Sequence, residues 1–159
     1  MKRMLLLTLL CLLAFGAEAH APQNEGKRRY RFTAYWKIKD AKDGLDNKVE
    51  CYGELRINSA LQWKILASEA KNYKRKKDET LTVFFGTKKP KKSYYETEMY
   101  WNGYVTVKAF LKNRNITKGD TLLSEFTLPL SPQIAVNYGE RVVGSTDKAE
   151  LRYSLEEVQ

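Results

Sequence analysis

Three aspartates of this 159-residue chain lie in two segments where they could bind an ion. Asp40 and Asp46 are six residues apart, and Asp120 closes a segment that begins at Lys112. Calcium prefers carboxylate and other oxygen ligands, about six to eight of them. Lys112 and Arg114 lie in the same segment as Asp120, and their positive charges oppose a metal cation. The three carboxylates therefore indicate a calcium site, an internal pairing of opposite charges, or solvated turns.

Other reactive groups are scarce. His20 is the one histidine of the chain, and Cys51 is the one cysteine beyond Cys11. A nucleophilic thiol needs a nearby base, so Cys51 is predicted to be a small buried hydrophobe. The sequence has no nucleophile elbow, phosphate loop or metal-ligand cluster. We therefore predict no enzymatic activity, no cofactor and no bound metal.

The first residues have the pattern of a targeting signal. Lys2 and Arg3 precede an apolar run, and Ala17-Glu18-Ala19 places small residues where a signal peptidase cleaves. We predict a signal peptide at 1–19, a flexible segment at 20–29 and one folded domain at 30–159. The protein is then secreted, periplasmic or attached to the cell envelope. With Cys11 removed, Cys51 has no partner for an internal disulfide.

Apolar residues alternate with polar ones over most of the predicted domain. Period-two alternation is typical of strands with one buried face. No long amphipathic helix is predicted, and residues 67–77 form a helical turn or a loop. Eight strands are expected at Tyr30–Ile38, Val49–Ile57, Leu61–Ile65, Leu81–Phe85, Tyr94–Trp101, Tyr104–Leu111, Ser124–Leu130 and Ala149–Leu155.

A tight turn is predicted at Asn102-Gly103. Asn-Gly favours two-residue hairpin turns, so Tyr94–Trp101 and Tyr104–Leu111 are expected to pair as a hairpin. Eight short strands separated by turns pack most simply as two antiparallel sheets. The predicted fold class is all-β, an eight-stranded antiparallel β-sandwich.

Several segments resemble parts of a C2 domain. Phe32–Ile57 is similar to its opening strand, Asp40…Asp46 loop and second strand, and Val105–Leu130 is similar to a strand, an acidic loop and an apolar strand. Glu150–Leu155 resembles the closing strand, whereas the short Asn102-Gly103 turn departs from the longer connection of many C2 domains. Tyr52-Gly53-Glu54-Leu55 and Trp63 are more weakly similar to β-sandwich modules of secreted bacterial proteins, some appended to pore-forming toxins.

The C2 resemblance also implies where calcium ligands belong. With Asp120 at the last acidic position of its loop, the two earlier ligand positions are occupied by Lys112 and Arg114. Such cations repel calcium, so binding is predicted to be calcium-independent. Lys112 or Arg114 is instead expected to pair with Asp40 or Asp46 as an internal counter-ion, with solvated turns as the alternative.

The chain carries a formal net charge of +9 at pH 7, much of it in two basic runs. These runs predict a partner that is an anionic membrane surface or an acidic protein. The alternative is that they only keep the sheet edges soluble. Nucleic acid is not expected, because the aromatic residues follow the core alternation, and we expect a monomer. The runs are Lys71, Lys74, Arg75, Lys76 and Lys77, and Lys88, Lys89, Lys91 and Lys92.

The aromatic residues indicate an alternative function. A secreted β-sandwich can bind carbohydrate on exposed, coplanar rings, although the tryptophans are expected mainly in the core. A carbohydrate-binding module is therefore the second functional hypothesis. The rings that the alternation places outward are Tyr35, Tyr52, Tyr73, Tyr94, Tyr104 and Phe110.

Overall fold

Two five-stranded antiparallel sheets pack against each other in the computed structural model of this chain. The structure describes residues 26–42, 47–83, 94–100, 103–132, 136 and 139–159. The strands are β1 Arg28–Ile38, β2 Lys48–Ile57, β3 Ala60–Ile65, β4 Lys74–Lys76, β5 Thr80–Thr82, β6 Tyr94–Met99, β7 Val105–Asn113, β8 Thr121–Leu130, β9 Arg141–Val143 and β10 Ala149–Val158. A short 3-10 helix, Ala67–Asn72, precedes β4. No helix within the described ranges is both long and apolar enough to cross a membrane.

The first sheet is built around β1. One edge of β1 pairs with β10 over ten residues, from Arg29 opposite Val158 to Ile38 opposite Ala149. The other edge is shared by β6 and β5, and the short strand β9 pairs with β10. β1 is therefore paired along both edges, and its inward residues from Tyr30 to Ile38 are buried.

The second sheet is built around β2. One edge of β2 pairs with β7, which pairs in turn with β8. The other edge is shared by β3 and β4. Gly53 lies where β2 and β7 approach closely, and a Cβ atom there would be 2.2 Å from the carbonyl oxygen of Phe110.

The period-two pattern correctly predicts the core. Every second residue of β1 from Tyr30 to Ile38 is buried, and so is every second residue of β2 from Val49 to Ile57. Trp36 and Trp63 are core residues, as expected, while Trp101 lies outside the described residues. Cys51 is buried and free, and burial raises the pKa of its thiol to about 12, so a nucleophilic role is disfavoured.

The antiparallel β-sandwich predicted from the sequence is confirmed, but the count of eight strands is wrong. The two additional strands, β4 and β9, have three residues each and do not show the alternation that identified the others. The first strand also begins at Arg28, two residues before the predicted domain boundary. The predicted signal peptide lies outside the described residues.

The predicted hairpin between β6 and β7 is also wrong. β6 pairs with β1 in the first sheet, whereas β7 pairs with β2 and β8 in the second. The Gly103 amide donates to the Tyr100 carbonyl at 2.8 Å, while Trp101 and Asn102 between them lie outside the described residues. The chain passes from one sheet to the other between these strands, since β6 pairs along an edge of β1 and both edges of β7 are occupied by β2 and β8.

Candidate functional site

A cavity of about 530 Å³ opens where β2 begins and β7 ends. Cys51 lies opposite Asn113, and Lys48 to Glu50 pair with Lys74 to Lys76. This register brings the β1–β2 connection, the β7–β8 loop and strand β4 to one end of the sandwich. We call the cavity the basic pocket; its described lining residues are Lys42, Lys48, Glu50, Lys74, Asn113, Arg114, Asn115, Ile116, Thr117 and Lys118.

Positive charge in the basic pocket is mostly not neutralised. Lys74 Nζ lies 3.2 Å from Glu50 Oε1, which is the one ion pair among the described lining residues. Lys48 instead lies directly opposite Lys76, and like charges opposite each other in a sheet are unfavourable. Four cations are left without a described carboxylate at ion-pair distance: Lys42, Lys48, Arg114 and Lys118.

Asn113 contributes an unusual polar group to the basic pocket. Its side chain is 1% exposed, at an inward position of β7 that the alternation assigns to the core. The Oδ1 atom accepts a hydrogen bond from the Glu50 amide at 2.9 Å, which fixes the orientation of the side-chain amide. The Nδ2 atom is buried and has no hydrogen-bond partner among the residues that the structure describes. A buried donor without a partner costs free energy unless something else accepts from it.

The β7–β8 loop is held in shape by Asp120 and Asn115. Tyr52 donates its hydroxyl to Asp120 Oδ2 at 2.6 Å, and the Asn115 amide donates to Asp120 Oδ1 at 3.1 Å. Asn115 Oδ1 accepts in turn from the Thr117 and Lys118 amides at 3.1 and 3.0 Å. The hydrogen bond from Tyr52 is the main cause that lowers the pKa of Asp120, so the carboxylate stays ionised at neutral pH. The loop is therefore preorganised.

An apolar residue projects beside the loop cations. Ile116 is 81% exposed, while Arg114 and Lys118 lie two residues to either side of it. Single exposed apolar residues are common on protein surfaces. Here the residue also lines the basic pocket, so a surface that covers the pocket can contact Ile116.

The predicted basic runs are placed unequally. Lys74 lines the basic pocket, and Lys76 lies beside it, opposite Lys48. Lys71 and Lys77 are exposed on either side of β4. Arg75 is structural, since its guanidinium donates to the Thr80 and Lys74 carbonyls at 2.7 and 2.8 Å. The second predicted run, Lys88, Lys89, Lys91 and Lys92, lies outside the described residues.

The predicted charge pairs at the loop tips take a different form. Asp40 Oδ1 accepts from the Lys42 amide at 3.1 Å, as in a turn. Neither Lys112 nor Arg114 is within ion-pair distance of a carboxylate that the structure describes, and Asp46 lies outside those residues. Lys112 lies instead over the ring of Phe110, 5.5 Å from its centroid. Both cations help to lower the pKa of Asp120, behind its hydrogen bonds.

The outward aromatic residues do not share one platform. Tyr35 and Tyr94 belong to the first sheet, where Tyr35 donates to Glu140 at 2.5 Å and Arg31 stacks on Tyr94. Tyr52 and Phe110 belong to the second sheet, and Tyr73 packs against the core. Tyr104 is 65% exposed at the opposite end of the sandwich from the basic pocket. Tyr100, which the sequence reasoning missed, lies near it and is 52% exposed.

Sequence reasoning also missed three of the five cations that line the basic pocket. Lys42, Lys48 and Lys118 are isolated lysines in the sequence, so no run marks them. Asn113 did carry a signal, because it is a polar residue at a position that continues the apolar alternation of β7. A polar residue at such a position indicates a local role beyond core packing.

Comparison with known proteins gives only distant similarity. No protein-family model matches the sequence, and no curated protein matches it. A structure of two C2 domains of extended synaptotagmin 2 aligns at 18% identity and a TM-score of 0.44, over 82% of this chain and 40% of that chain. A separate C2 domain aligns at 12% identity and a TM-score of 0.40, over 82% and 99% of the two chains.

A third solved structure, the Cry23Aa1 and Cry37Aa1 binary protein complex, aligns at 11% identity and a TM-score of 0.36. The alignment covers 82% of this chain and 98% of that one. C2 domains are thus among the similar structures, in agreement with the sequence resemblance. Because all three TM-scores are below 0.5, these alignments carry no information about what this chain binds.

Proposed function

We propose that this protein is a secreted or cell-envelope module that binds an anionic membrane surface through the basic pocket, without catalysis. The observation that supports the proposal best is a group of four cations around one concave surface, none of which has a carboxylate partner within the described residues. Elsewhere in the described chain, Arg31, Arg56 and Arg152 of the strands each have a carboxylate partner. Anionic lipid supplies the missing negative charge.

The size of this electrostatic attraction is sufficient for reversible binding. A basic residue near an anionic bilayer contributes roughly 1 kcal/mol. Four such residues therefore contribute about 4 kcal/mol, or about a thousandfold in affinity. The attraction should fall steeply with salt, because the Debye length shortens from about 10 Å at 0.1 M to about 3 Å at 1 M.

Ile116 adds an apolar contribution to this mode of binding. Fully burying an isoleucine side chain is worth roughly 1.5 to 3 kcal/mol. With Arg114 and Lys118 beside it, Ile116 can enter the interfacial region while the two cations remain at the level of the lipid headgroups. The preorganised loop lowers the entropy cost of that insertion.

Binding is proposed to be independent of calcium. Arg114 lines the same end of the sandwich as the acidic β1–β2 connection, and its positive charge disfavours a divalent cation there. Calcium titration of the melting temperature tests this point, because a ligand specific to the folded state raises Tm. A large rise in Tm with calcium would contradict it.

Vesicle sedimentation tests the membrane proposal. The protein should pellet with anionic vesicles at low ionic strength, remain in solution with neutral vesicles, and be released by high salt. Ile116→Ser should weaken binding to anionic vesicles at high salt most, since the electrostatic part is then screened. Leu61→Ser, at an exposed apolar position in β3, is the matched control. Equal binding to neutral and anionic vesicles would exclude the proposal.

Carbohydrate binding remains the second candidate function because of exposed tyrosines at the end of the sandwich opposite the basic pocket. Tyr100 and Tyr104 are both exposed, and Lys27 lies over the Tyr100 ring at 5.5 Å. Exposed tyrosine rings with a nearby cation can stack on sugar rings. Retention on a polysaccharide resin that Tyr104→Ala abolishes, with no vesicle binding, would favour this candidate. An acidic protein as the partner would be indicated by binding that lipid does not compete.

A further inference from the structure

We infer that the basic pocket is a discrete site for an organic phosphomonoester, with Asn113 Nδ2 as a fixed donor to the phosphate. This inference deepens the proposed function by naming the chemical group that the pocket recognises. It differs from general attraction to a charged surface, because it requires a particular geometry and not only a net charge.

The size of the pocket is the first reason. A volume of about 530 Å³ lies within the range of about 300 to 1,000 Å³ that is usual for small-molecule sites. A bare phosphate ion is much smaller than such a cavity. The volume therefore fits a phosphate that carries an organic group, such as a glycerol or a sugar.

The unpartnered donor is the second reason. Asn113 is 1% exposed, and its Oδ1 is already engaged by the Glu50 amide at 2.9 Å. The side-chain amide cannot turn over without losing that bond, so Nδ2 remains the donor. Core packing alone would favour an apolar residue at this inward position of β7. Asn113 is among the residues that line the pocket, and its buried Nδ2 lacks a partner within the described residues; a ligand that accepts from Nδ2 would supply one.

The charges give the third reason, and they select the kind of anion. A phosphomonoester carries about 1.5 to 2 negative charges at neutral pH and has three strong acceptor oxygens. A phosphodiester or a carboxylate has a single charge and fewer acceptors. The pocket offers Lys42, Lys48 and Lys118 as point charges and Arg114 as a planar fork. Of these three kinds of anion, the phosphomonoester has the charge and the number of acceptor oxygens that best match the four cations.

The positions of these groups support a single bound phosphate. Lys48 and Lys74 come from neighbouring strands, while Asn113 and Arg114 come from the adjoining end of β7 and its loop. The Arg114 amide donates to the Glu50 carbonyl at 2.9 Å, which joins the loop to β2 beside Asn113. Strands hold Lys48, Glu50, Lys74 and Asn113, and hydrogen bonds within the β7–β8 loop hold the segment that supplies Arg114 and Lys118.

The phosphomonoester can be part of a lipid headgroup or of a soluble metabolite, and the experiment separates the two. Glycerol 3-phosphate and glycerophosphoglycerol, a diester, are titrated into the full protein and followed by NMR of the Asn side-chain amides. In parallel, vesicles of phosphatidic acid and phosphatidylglycerol are compared at equal surface charge. Glycerol 3-phosphate should shift the Asn113 Nδ2 resonances, and the diester should not. Phosphatidic acid should bind about tenfold more tightly than phosphatidylglycerol.

Two variants of equal charge show whether the pocket geometry matters. Lys48→Gln removes a cation from the pocket, and Lys108→Gln removes an exposed cation from the outer face of β7. Lys48→Gln should weaken phosphomonoester binding about fivefold, while Lys108→Gln leaves it unchanged. Asn113→Asp keeps the acceptor for the Glu50 amide but removes the Nδ2 donor, and should abolish binding. Near-ultraviolet circular dichroism verifies that each variant is folded.

Each outcome decides one of the two proposals. If both lipids bind equally and glycerol 3-phosphate leaves Asn113 unshifted, the phosphomonoester site is wrong while membrane binding stands. If glycerol 3-phosphate binds but no vesicle does, the site is confirmed for a soluble ligand and the membrane proposal is wrong. If Lys48→Gln and Lys108→Gln weaken binding equally, the attraction is diffuse and the site is wrong.

Discussion

The outer face of the first sheet and the basic pocket use charge in opposite ways. On the first sheet, Arg31 lies 3.1 Å from Glu96, and Arg152 lies 2.9 Å from Glu140 and 2.7 Å from Glu150. In the basic pocket, four cations have no described carboxylate partner. Paired charges are typical of a surface that stays in water, whereas unpaired charges of one sign favour the approach of an anion.

The pairing on the first sheet follows from its register. Arg152 lies opposite Tyr35, and Glu150 lies opposite Lys37, so opposite charges and hydroxyls meet across β1 and β10. Tyr35 donates to Glu140, and this bond together with Arg152 lowers the pKa of Glu140. In the second sheet the register instead sets Lys48 against Lys76. Cross-strand register therefore produces pairs of opposite charge in the first sheet and a repulsive pair of lysines in the second.

Charge reversal in the basic pocket should have the largest effect. Lys48→Glu combined with Lys118→Glu changes four units of charge, which at roughly 1 kcal/mol each weakens binding to anionic vesicles about a thousandfold. Tm should stay level or rise, because the repulsion between Lys48 and Lys76 disappears. Vesicle sedimentation and thermal unfolding measure the two effects. A large fall in Tm would show that these lysines stabilise the fold, and the contrast between paired charges on the first sheet and unpaired charges in the basic pocket would then be wrong.

Gly53→Ala should be next in size and tests how the pocket depends on strand pairing. A Cβ at residue 53 would lie 2.2 Å from the Phe110 carbonyl oxygen, so β7 must move away from β2. Overpacking of this kind costs about 1 to 3 kcal/mol. The shift also loosens Asn113 from the Glu50 amide, so vesicle binding should weaken together with the denaturant midpoint. Unchanged stability would contradict the close approach of β2 and β7.

Arg152→Gln should have a smaller effect, confined to stability. Glu140 and Glu150 lose their shared partner, and a fall of a few degrees in Tm is expected. Binding to anionic vesicles should be unaffected, because the first sheet does not contribute to the pocket. Lys64→Gln, at an exposed position of β3, is the control for the loss of one charge. Weaker vesicle binding by Arg152→Gln would extend the binding surface to the first sheet.

Tyr52→Phe should have the smallest effect, and the effect on stability should appear only at acidic pH. Its hydroxyl bond to Asp120 is the main cause of the lowered pKa of that carboxyl, so the variant should raise this pKa toward its ordinary value of 3.8. A lowered pKa in the folded state adds stability that is complete above the ordinary value and is lost as the pH falls through the folded one. NMR titration of the Asp120 carboxyl measures the change. No change would mean that Tyr52 does not hold the loop.

The fold was largely predictable, and its errors have a common cause. Alternation located eight of the ten strands and their inward faces, because burial on one side of a pleated strand imposes a period of two. Alternation did not identify the three-residue strands β4 and β9. The predicted pairing of β6 with β7 was also wrong, since β6 pairs with β1. Asn102-Gly103 encodes a turn locally, but the partner of a strand depends on which edges the rest of the sheet leaves open.

The site was predicted in part. The run that contains Lys74 and Lys76 was recognised by its density, and the cations Lys112 and Arg114 by the loop they occupy. The ion pairs expected between those cations and Asp40 are not found in the described part of the chain, where a hydroxyl of β2 fixes the loop carboxylate instead. A hydroxyl from a neighbouring strand cannot be assigned to a carboxylate before the register is known.

Two properties follow from the amino-acid sequence alone, namely the two layers of alternating strands and the positive surplus charge. Both properties are local or additive, since burial follows period two and charge is a sum over residues. The folded arrangement was needed to show that Lys42, Lys48 and Lys118 meet around one cavity and that Asn113 Nδ2 has no hydrogen-bond partner among the described residues. Those facts depend on the register of β2 with β4 and β7, which joins residues distant in the chain.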